Sequence, residues 1–258
     1  MTAALVGHTG FVGETLKRQA RFDALYRSTD IGEIDGREFD LVVCAGAPAA
    51  KWIANREPEA DRAGLERLQL HLGRCRARRL VLVSTVDVYP DPRGVDEESP
   101  IVPDPRNAYG ANRFALERFC RGRFDATVVR LPALFGQGLR KNAVYDLLHD
   151  NQVEKLQPLS AFQFYDMSLL WTDLERIEAA GVKLVNLAVE PLTLGDVARE
   201  AFGRELPPNP AAAVARYDFR TRHAGLWGRG DGYAYGARET MGRLRAFVAA
   251  ERAAGRGG

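Results

Sequence analysis

Residues 108–114 read AYGANRF and put Tyr109 four positions before Arg113. A tyrosine hydroxyl ionises near 10, so taking a proton near neutral pH requires a drop of about 3 units, about 4 kcal/mol. A unit cation about 4–5 Å away, at an effective dielectric near 20, supplies roughly 3–4 kcal/mol of it. Positions i and i+4 share a helix face, so one helix can hold the phenol and the guanidinium over the same pocket. Arginine keeps the charge but replaces a compact ammonium with a planar fork, which changes the hydrogen bonds it can make. Three readings stay open: a competent acid/base pair, a site that binds without turnover, and an unrelated exposed helix pair.

The second chemical stretch is GHTGFVG, residues 7–13, which follows an apolar run and opens a helical one. Gly7 permits a tight turn, Gly10 lets a pyrophosphate approach the backbone, and Gly13 allows close helix packing. The free amides of the helix start, around Thr9, Phe11 and Val12, attract an anion. Dinucleotide binding is the expectation, with Ala45 and Gly46 after the third strand assigned to the same ligand; a tight turn that binds nothing is the alternative. An acid holding the ribose is expected about 20 residues on. That region reads ALYRSTD (24–30), where Arg27 and Ser28 stand at the strand end and Asp30 just beyond. A cation and a hydroxyl suit a 2′-phosphate, so NADP is favoured over NAD, with a solvated Arg27 as the alternative.

Only five of the 36 basic residues are lysines, which leaves thirty-one arginines and makes each lysine informative. Lys51 follows the strand ending at Gly46, and Lys141 follows the loop after the strand ending near Leu131. Both are expected at the carboxyl edge of the sheet, where ligands bind. Two ammonium groups there suit an anionic small molecule, a phosphate or a carboxylate, with Asn55 and Asn142 as hydrogen-bonding companions. Solvated loop lysines are the alternative. The four histidines (His8, His71, His149, His223) show no metal spacing, and Trp52, Trp171 and Trp227 read as packing residues.

The elements that must hold these groups follow from periodicity. AALVG, FDLVVCAG (39–46), RLVLVSTVDVY (79–89), ATVVRLPALFG (126–136) and VKLVNLAV (182–189) are unbroken apolar runs, as in strands buried on both faces of a parallel sheet. Amphipathic stretches separate them, with Leu65, Leu68 and Leu72 on one face and Phe114, Leu116 and Phe119 on another. The alternation predicts an α/β fold with a doubly wound parallel sheet. Residues 89–107 read as a proline- and acid-rich loop, and residues 253–258 as a disordered tail. With 258 residues, a net charge of +2 and scattered Cys44, Cys75 and Cys120, the chain suits a cytoplasmic protein with buried thiols. Nothing in it points to nucleic acid or to a membrane.

Taken together, GHTGFVG, the strand VLVSTVDVYP and the helix opening YGANR resemble the extended short-chain dehydrogenase/reductase family, the NAD-dependent epimerases and dehydratases. The resemblance runs from residue 1 to about 200 and implies a Rossmann fold with a small C-terminal substrate lobe. It divides the chain into a dinucleotide-binding core, 1–135, and a mixed segment, 136–258, holding a late sheet strand and a reduced substrate lobe. It implies a catalytic set of Thr85, four residues before Tyr89, with Tyr109 and Arg113 where the family has a Tyr-x-x-x-Lys pair. It also implies that Pro132, in RLPALFG, flanks the nicotinamide. In the family's dehydratases an Asp and a Glu follow the strand-end Thr, and here Val86 and Asp87 do. Val86 cannot donate a proton, so elimination is not expected, and Asp87 is left to contact substrate or to cap the loop. The expected activity is NAD(P)-dependent oxidoreduction or epimerisation of a sugar-like hydroxyl or carbonyl. A non-catalytic NAD(P)-binding sensor or scaffold is the competing reading, and homodimer formation is left open.

Overall fold

In the computed structural model, which describes residues 1–255, the apolar runs become strands and the amphipathic stretches become helices. The first part of the chain forms β1 (Ala3–Val6), α1 (Phe11–Gln19), β2 (Ala24–Tyr26), β3 (Glu38–Cys44) and α2 (Lys51–Arg56). It continues with α3 (Pro58–Arg74), β4 (Arg76–Thr85), α4 (Ala108–Arg123) and β5 (Ala126–Leu131). There follow β6 (Ala133–Phe135), α5 (Ala143–His149), β7 (Ala161–Phe162), β8 (Phe164–Asp166), α6 (Leu170–Ala179) and β9 (Leu184–Asn186). The last are β10 (Leu192–Thr193), α7 (Leu194–Phe202) and α8 (Ala237–Gly255).

Six strands make one sheet in the order β2-β1-β3-β4-β5-β9, every neighbouring pair parallel. Every residue of β1 and β5 is buried, because helices cover a parallel sheet on both faces. Leu65, Leu68 and Leu72 of α3, with Leu116 and Cys120 of α4, pack on Val42, Cys44, Leu80, Leu82 and Val128. All three thiols are buried and free, and burial pushes the Cys44 thiol up to about 11. The chain order reverses direction in the sheet between β1 and β3, and the turns leaving β1, β3 and β4 therefore share one edge. Between β2 and β3 the chain makes only a 3₁₀ turn, Ile31–Ile34, so the sheet stops at β2 without the further strand of the widest dinucleotide-binding sheets.

Several apolar runs are interrupted. The run at 79–89 is strand only as far as Thr85; the next three residues coil into a 3₁₀ turn whose first amide-bearing partner, Asp87, donates to Thr85 Oγ1 at 3.1 Å. The run at 126–136 breaks at Pro132, which has no N–H for the ladder. Residues before it pair with β9, while Ala133–Phe135 turn to β8. The run at 182–189 is strand only over Leu184–Asn186. Residues 253–255, expected in a disordered tail, continue α8, and 256–258 lie outside the described residues. Trp52, expected to pack, is 62% exposed with the Arg56 guanidinium stacked on it.

The chain forms two compact units, one of Met1–Asp91, Glu98–Leu131 and Trp171–Asn186, the other of Pro92–Glu97, Pro132–Leu170 and Leu187–Gly258. The first contains the six-stranded sheet. The second has its own core, in which Phe135, Val144, Phe164, Val197, Leu244 and Val248 meet. There Thr193 caps α7 through the Asp196 amide, and Gly203 ends that helix in the left-handed conformation.

Within the first unit α4 buries charge. Glu117 and Arg130 of β5 are 1% and 2% exposed and joined at 2.6 Å, with Ser84 donating to Glu117 and Arg130 donating to the Tyr89 hydroxyl. Asn186 of β9 completes the chain by donating to the same hydroxyl at 3.1 Å. Arg130→Met leaves a buried carboxylate unpaired and is expected to cost about 3–5 kcal/mol in equilibrium urea unfolding, most of it recovered by adding Glu117→Leu. A single variant within about 1 kcal/mol of the parent, the range of an exposed pair, would show that the network does not clamp α4.

Candidate active site

The glycine turn is built as a cradle. Gly7 has φ +85, and a Cβ there would lie 2.3 Å from the Ala45 carbonyl oxygen and 2.7 Å from Gly46 Cα. A Cβ on Gly13 would lie 2.2 Å from the Gly7 carbonyl oxygen, so α1 packs directly on the turn. Gly10, which caps α1 without a side-chain hydrogen bond, would meet nothing nearer than 3.6 Å. The first-turn amides of Phe11, Val12 and Gly13 precede the first internal bond, Glu14 N to Gly10 O, and Thr9 and Gly10 are exposed beside them. Backbone donors over an open glycine suit a diphosphate. His8 lies in the same turn, and its Nδ1 is buried without a hydrogen-bond partner.

At the end of β2, Arg27 is not a free cation. Its amide donates to Asp30 at 2.7 Å and its Nε to the same carboxylate at 3.2 Å, while the side chain stays 56% exposed. These bonds hold Asp30 below the usual carboxylate range. Ser28 is exposed beside them.

Tyr109 sits in the first turn of α4 and is 8% exposed. Its amide donates to Asn55 Oδ1 at 2.9 Å, so Asn55, expected beside substrate, anchors the helix start. Asn107 caps α4 by accepting from the Gly110 amide, and its own Nδ2 donates to the Asp87 carbonyl at 3.0 Å. Gly110 is required there because a Cβ would lie 2.1 Å from that carbonyl oxygen. The close approach sets the first turn of α4 against the turn that Thr85 caps. Lys51, at the start of α2, donates to Asp87 Oδ1 at 2.8 Å.

Arg113 meets Tyr109 as i and i+4 require, but not as a free charge. Its guanidinium carbon lies 4.0 Å from the tyrosine ring centroid, with two N–H groups on Asp61 at 2.5 and 2.8 Å and one on the Pro48 carbonyl at 2.6 Å. Arg113 is 2% and Asp61 6% exposed, and Arg113 Nε has no partner. The expectation that this cation brings the phenol toward neutrality is therefore corrected. Burial raises Tyr109 above its ordinary value, and the opposing pull of Arg113 does not overcome it.

In the second unit, Asn142 caps α5 by accepting from the Val144 and Tyr145 amides and donates to the Leu134 carbonyl at 2.7 Å. Both ends of its amide thus take part in local structure. Lys141 is exposed next to it, and Pro132 is half-buried. Sequence reasoning missed Asp61, Glu117 and Gly110. Only the YG pair in YGANR carried a signal for the last, and nothing in composition marks which acid meets which arginine.

A model described as the NAD dependent epimerase/dehydratase family matches residues 21–162, starting after the glycine turn. Among solved structures, the chain is similar to dTDP-4-dehydrorhamnose reductase from Bacillus anthracis in complex with NADP, with 18% identity and a TM-score of 0.73 over 96% of this chain and 98% of that one. RMD from Pseudomonas aeruginosa complexed with NADPH gives 18% identity and 0.73, over 96% and 98%. UDP-N-acetylglucosamine 4-epimerase from Methanobrevibacter ruminantium in complex with UDP-N-acetylmuramic acid gives 10% identity and 0.72, over 96% of each. At these identities the likeness carries the fold. No curated protein sequence matches the chain.

The buried fork of Arg113 makes a testable demand. Arg113→Lys keeps the charge but cannot bond Asp61 twice and Pro48 at once, and is expected to cost roughly 1.5–3 kcal/mol in urea unfolding. Unchanged stability would mean that the fork does not hold α4 to α3.

Proposed function

The chain belongs to the NAD dependent epimerase/dehydratase family, and from that premise we propose that it reduces or epimerises a sugar-like hydroxyl or carbonyl compound with Tyr109 as the acid/base group. The observation that carries this reading is the packing of the start of α4 on the turn that leaves β4, where Asn107 Nδ2 donates to the Asp87 carbonyl at 3.0 Å and Gly110 lies against the same carbonyl, so that Tyr109 and Thr85 stand on one edge of the sheet. Thr85 orients the substrate oxygen, and Tyr109 takes or returns the proton at that oxygen. The first-turn amides of α1, with Gly7, Gly10, Ala45 and Gly46, hold the phosphates of NAD or NADP. When bound, the dinucleotide supplies two-electron redox chemistry. Residues 45 and 46 after β3 and Thr85 at the end of β4 stand on the edge that also carries the glycine turn, which fits a single site for both ligands.

Asp87 is engaged by Lys51 and the Val86 side chain has no acidic proton, so elimination of water has no acid at that position. An anionic substrate draws on Lys51 less simply than the sequence implied, because the Lys51 charge is already met by Asp87. The Arg27–Asp30 pair lies at the surface, where such contacts rearrange at little cost, so Arg27 remains available to a 2′-phosphate.

Tyr109→Phe is expected to abolish turnover with a panel of keto-sugars and NADPH while NADPH affinity stays within a few-fold, since backbone holds the phosphates. Full activity in the Phe variant would remove Tyr109 from the chemistry. Titration of NADP+ and NAD+ against Arg27→Ala is expected to show the ratio of affinities falling toward NAD+. An unchanged ratio would leave Arg27 without a role in cofactor choice.

A further inference from the structure

The glycine turn holds a side chain that its backbone chemistry does not use. His8 lies between Gly7 and the exposed Thr9 and Gly10, and its Nδ1 is shut away from solvent with no hydrogen-bond partner. The residue as a whole is half-buried, so the ring is not sealed into the core. Orphaned N–H donors are rarer inside proteins than under-used acceptors, so a ring nitrogen with nothing to bond keeps its lone pair and the ring proton sits on Nε2. An imidazole held this way presents one N–H donor. Its place is set by the backbone, because the Gly7 and His8 amides both donate to the Tyr26 carbonyl, at 2.7 and 3.4 Å. Tyr26 ends β2, so His8 stands beside the strand end that meets the adenosine ribose in turns of this kind. Arg27 follows at once, but its charge is met by the Asp30 carboxylate at 3.2 Å, which leaves a 2′-phosphate short of a donor there until that pair opens.

We propose that His8 is a specificity-determining residue for the cofactor: its Nε2–H donates to the 2′-phosphate of NADP, beside Arg27, and meets only a hydroxyl in NAD. The assignment rests on the dinucleotide reading above and adds a side chain to a cradle otherwise made of backbone. A hydrogen bond to an ionised acceptor is about twice as strong as one between neutral groups, so the gain falls on the 2′-phosphorylated form. The turn does not need this side chain for its own shape. The close approaches that form it belong to Gly7, against the Ala45 carbonyl, and to Gly13, against the Gly7 carbonyl, and Nδ1 of His8 bonds nothing in it. His8 can therefore be replaced without dismantling the cradle.

The contact can be followed in the parental protein, without any substrate, by nitrogen NMR of the isotope-labelled full-length chain, the His8 ring being assigned through its backbone. Saturating NADP+ is expected to shift the His8 Nε2 resonance, and NAD+ to leave it near its free position. In calorimetric titrations His8→Ala is expected to weaken NADP+ about tenfold, the weight of one hydrogen bond to a charged group, and NAD+ by less than about twofold. His8→Gln, whose amide offers an N–H at similar reach, should recover part of the loss. Thermal unfolding checks that each variant folds, and the NMR measurement decides the matter if neither does. A ring resonance moved equally by both dinucleotides, or an equal loss of both affinities in His8→Ala, makes the residue a support of the turn and overturns the proposal, as does no loss at all. The reading of function fails on other grounds: a parental protein that binds neither dinucleotide removes the cofactor, and a Tyr109→Phe protein that turns over keto-sugars at the parental rate removes the acid/base assignment without touching the His8 result.

Discussion

The structure depends on one helix face that buries charge. Tyr109, Arg113 and Glu117 recur every four residues on α4, and each is answered from a different element. Asn55 of α2 accepts from the Tyr109 amide, Asp61 of α3 takes the Arg113 fork, and Arg130 of β5 takes Glu117. Removing one partner of a buried pair strands the other, so these contacts define where the helix can sit far more sharply than apolar packing does. The register of α4 sets the depth of Tyr109.

A helix fixed this rigidly changes what its cation can do. The same guanidinium that would lower a nearby phenol is held against a carboxylate, and dehydration of the phenol outweighs the pull that remains. Charge near a titrating group is effective only to the extent that it is uncompensated. The exposed Lys51–Asp87 pair lies on the opposite side of that balance, since water and incoming ligands compete for both partners.

Backbone constraints act with similar economy at the sheet edge. Gly7, Gly13 and Gly110 each stand where a Cβ would enter a carbonyl oxygen, and together they bring α1 and α4 close to the turns leaving β1 and β4. Pro132 ends the last central ladder and sends Ala133–Phe135 to another sheet. A short crossing from β2 to β3 leaves the sheet at six strands.

Much of this was determined by the sequence alone. Apolar runs buried on both faces, leucines at helical spacing and a glycine turn between strand and helix are local patterns, and local patterns carry the parallel sheet, the glycine turn that opens α1 and the i, i+4 meeting of Tyr109 with Arg113. The ends of strands were less legible, because Thr85 capping a 3₁₀ turn looks like continued strand until the turn is formed. The partners of charged residues were not legible at all. Asp61 and Arg113 are 52 residues apart, Lys51 and Asp87 36 apart, and nothing in a chain with 34 acids says which of them reaches which base. Only the tertiary structure decides that Arg113 is buried and neutralised while Lys51 stays half in water, because burial and pairing depend on packing between elements distant in sequence.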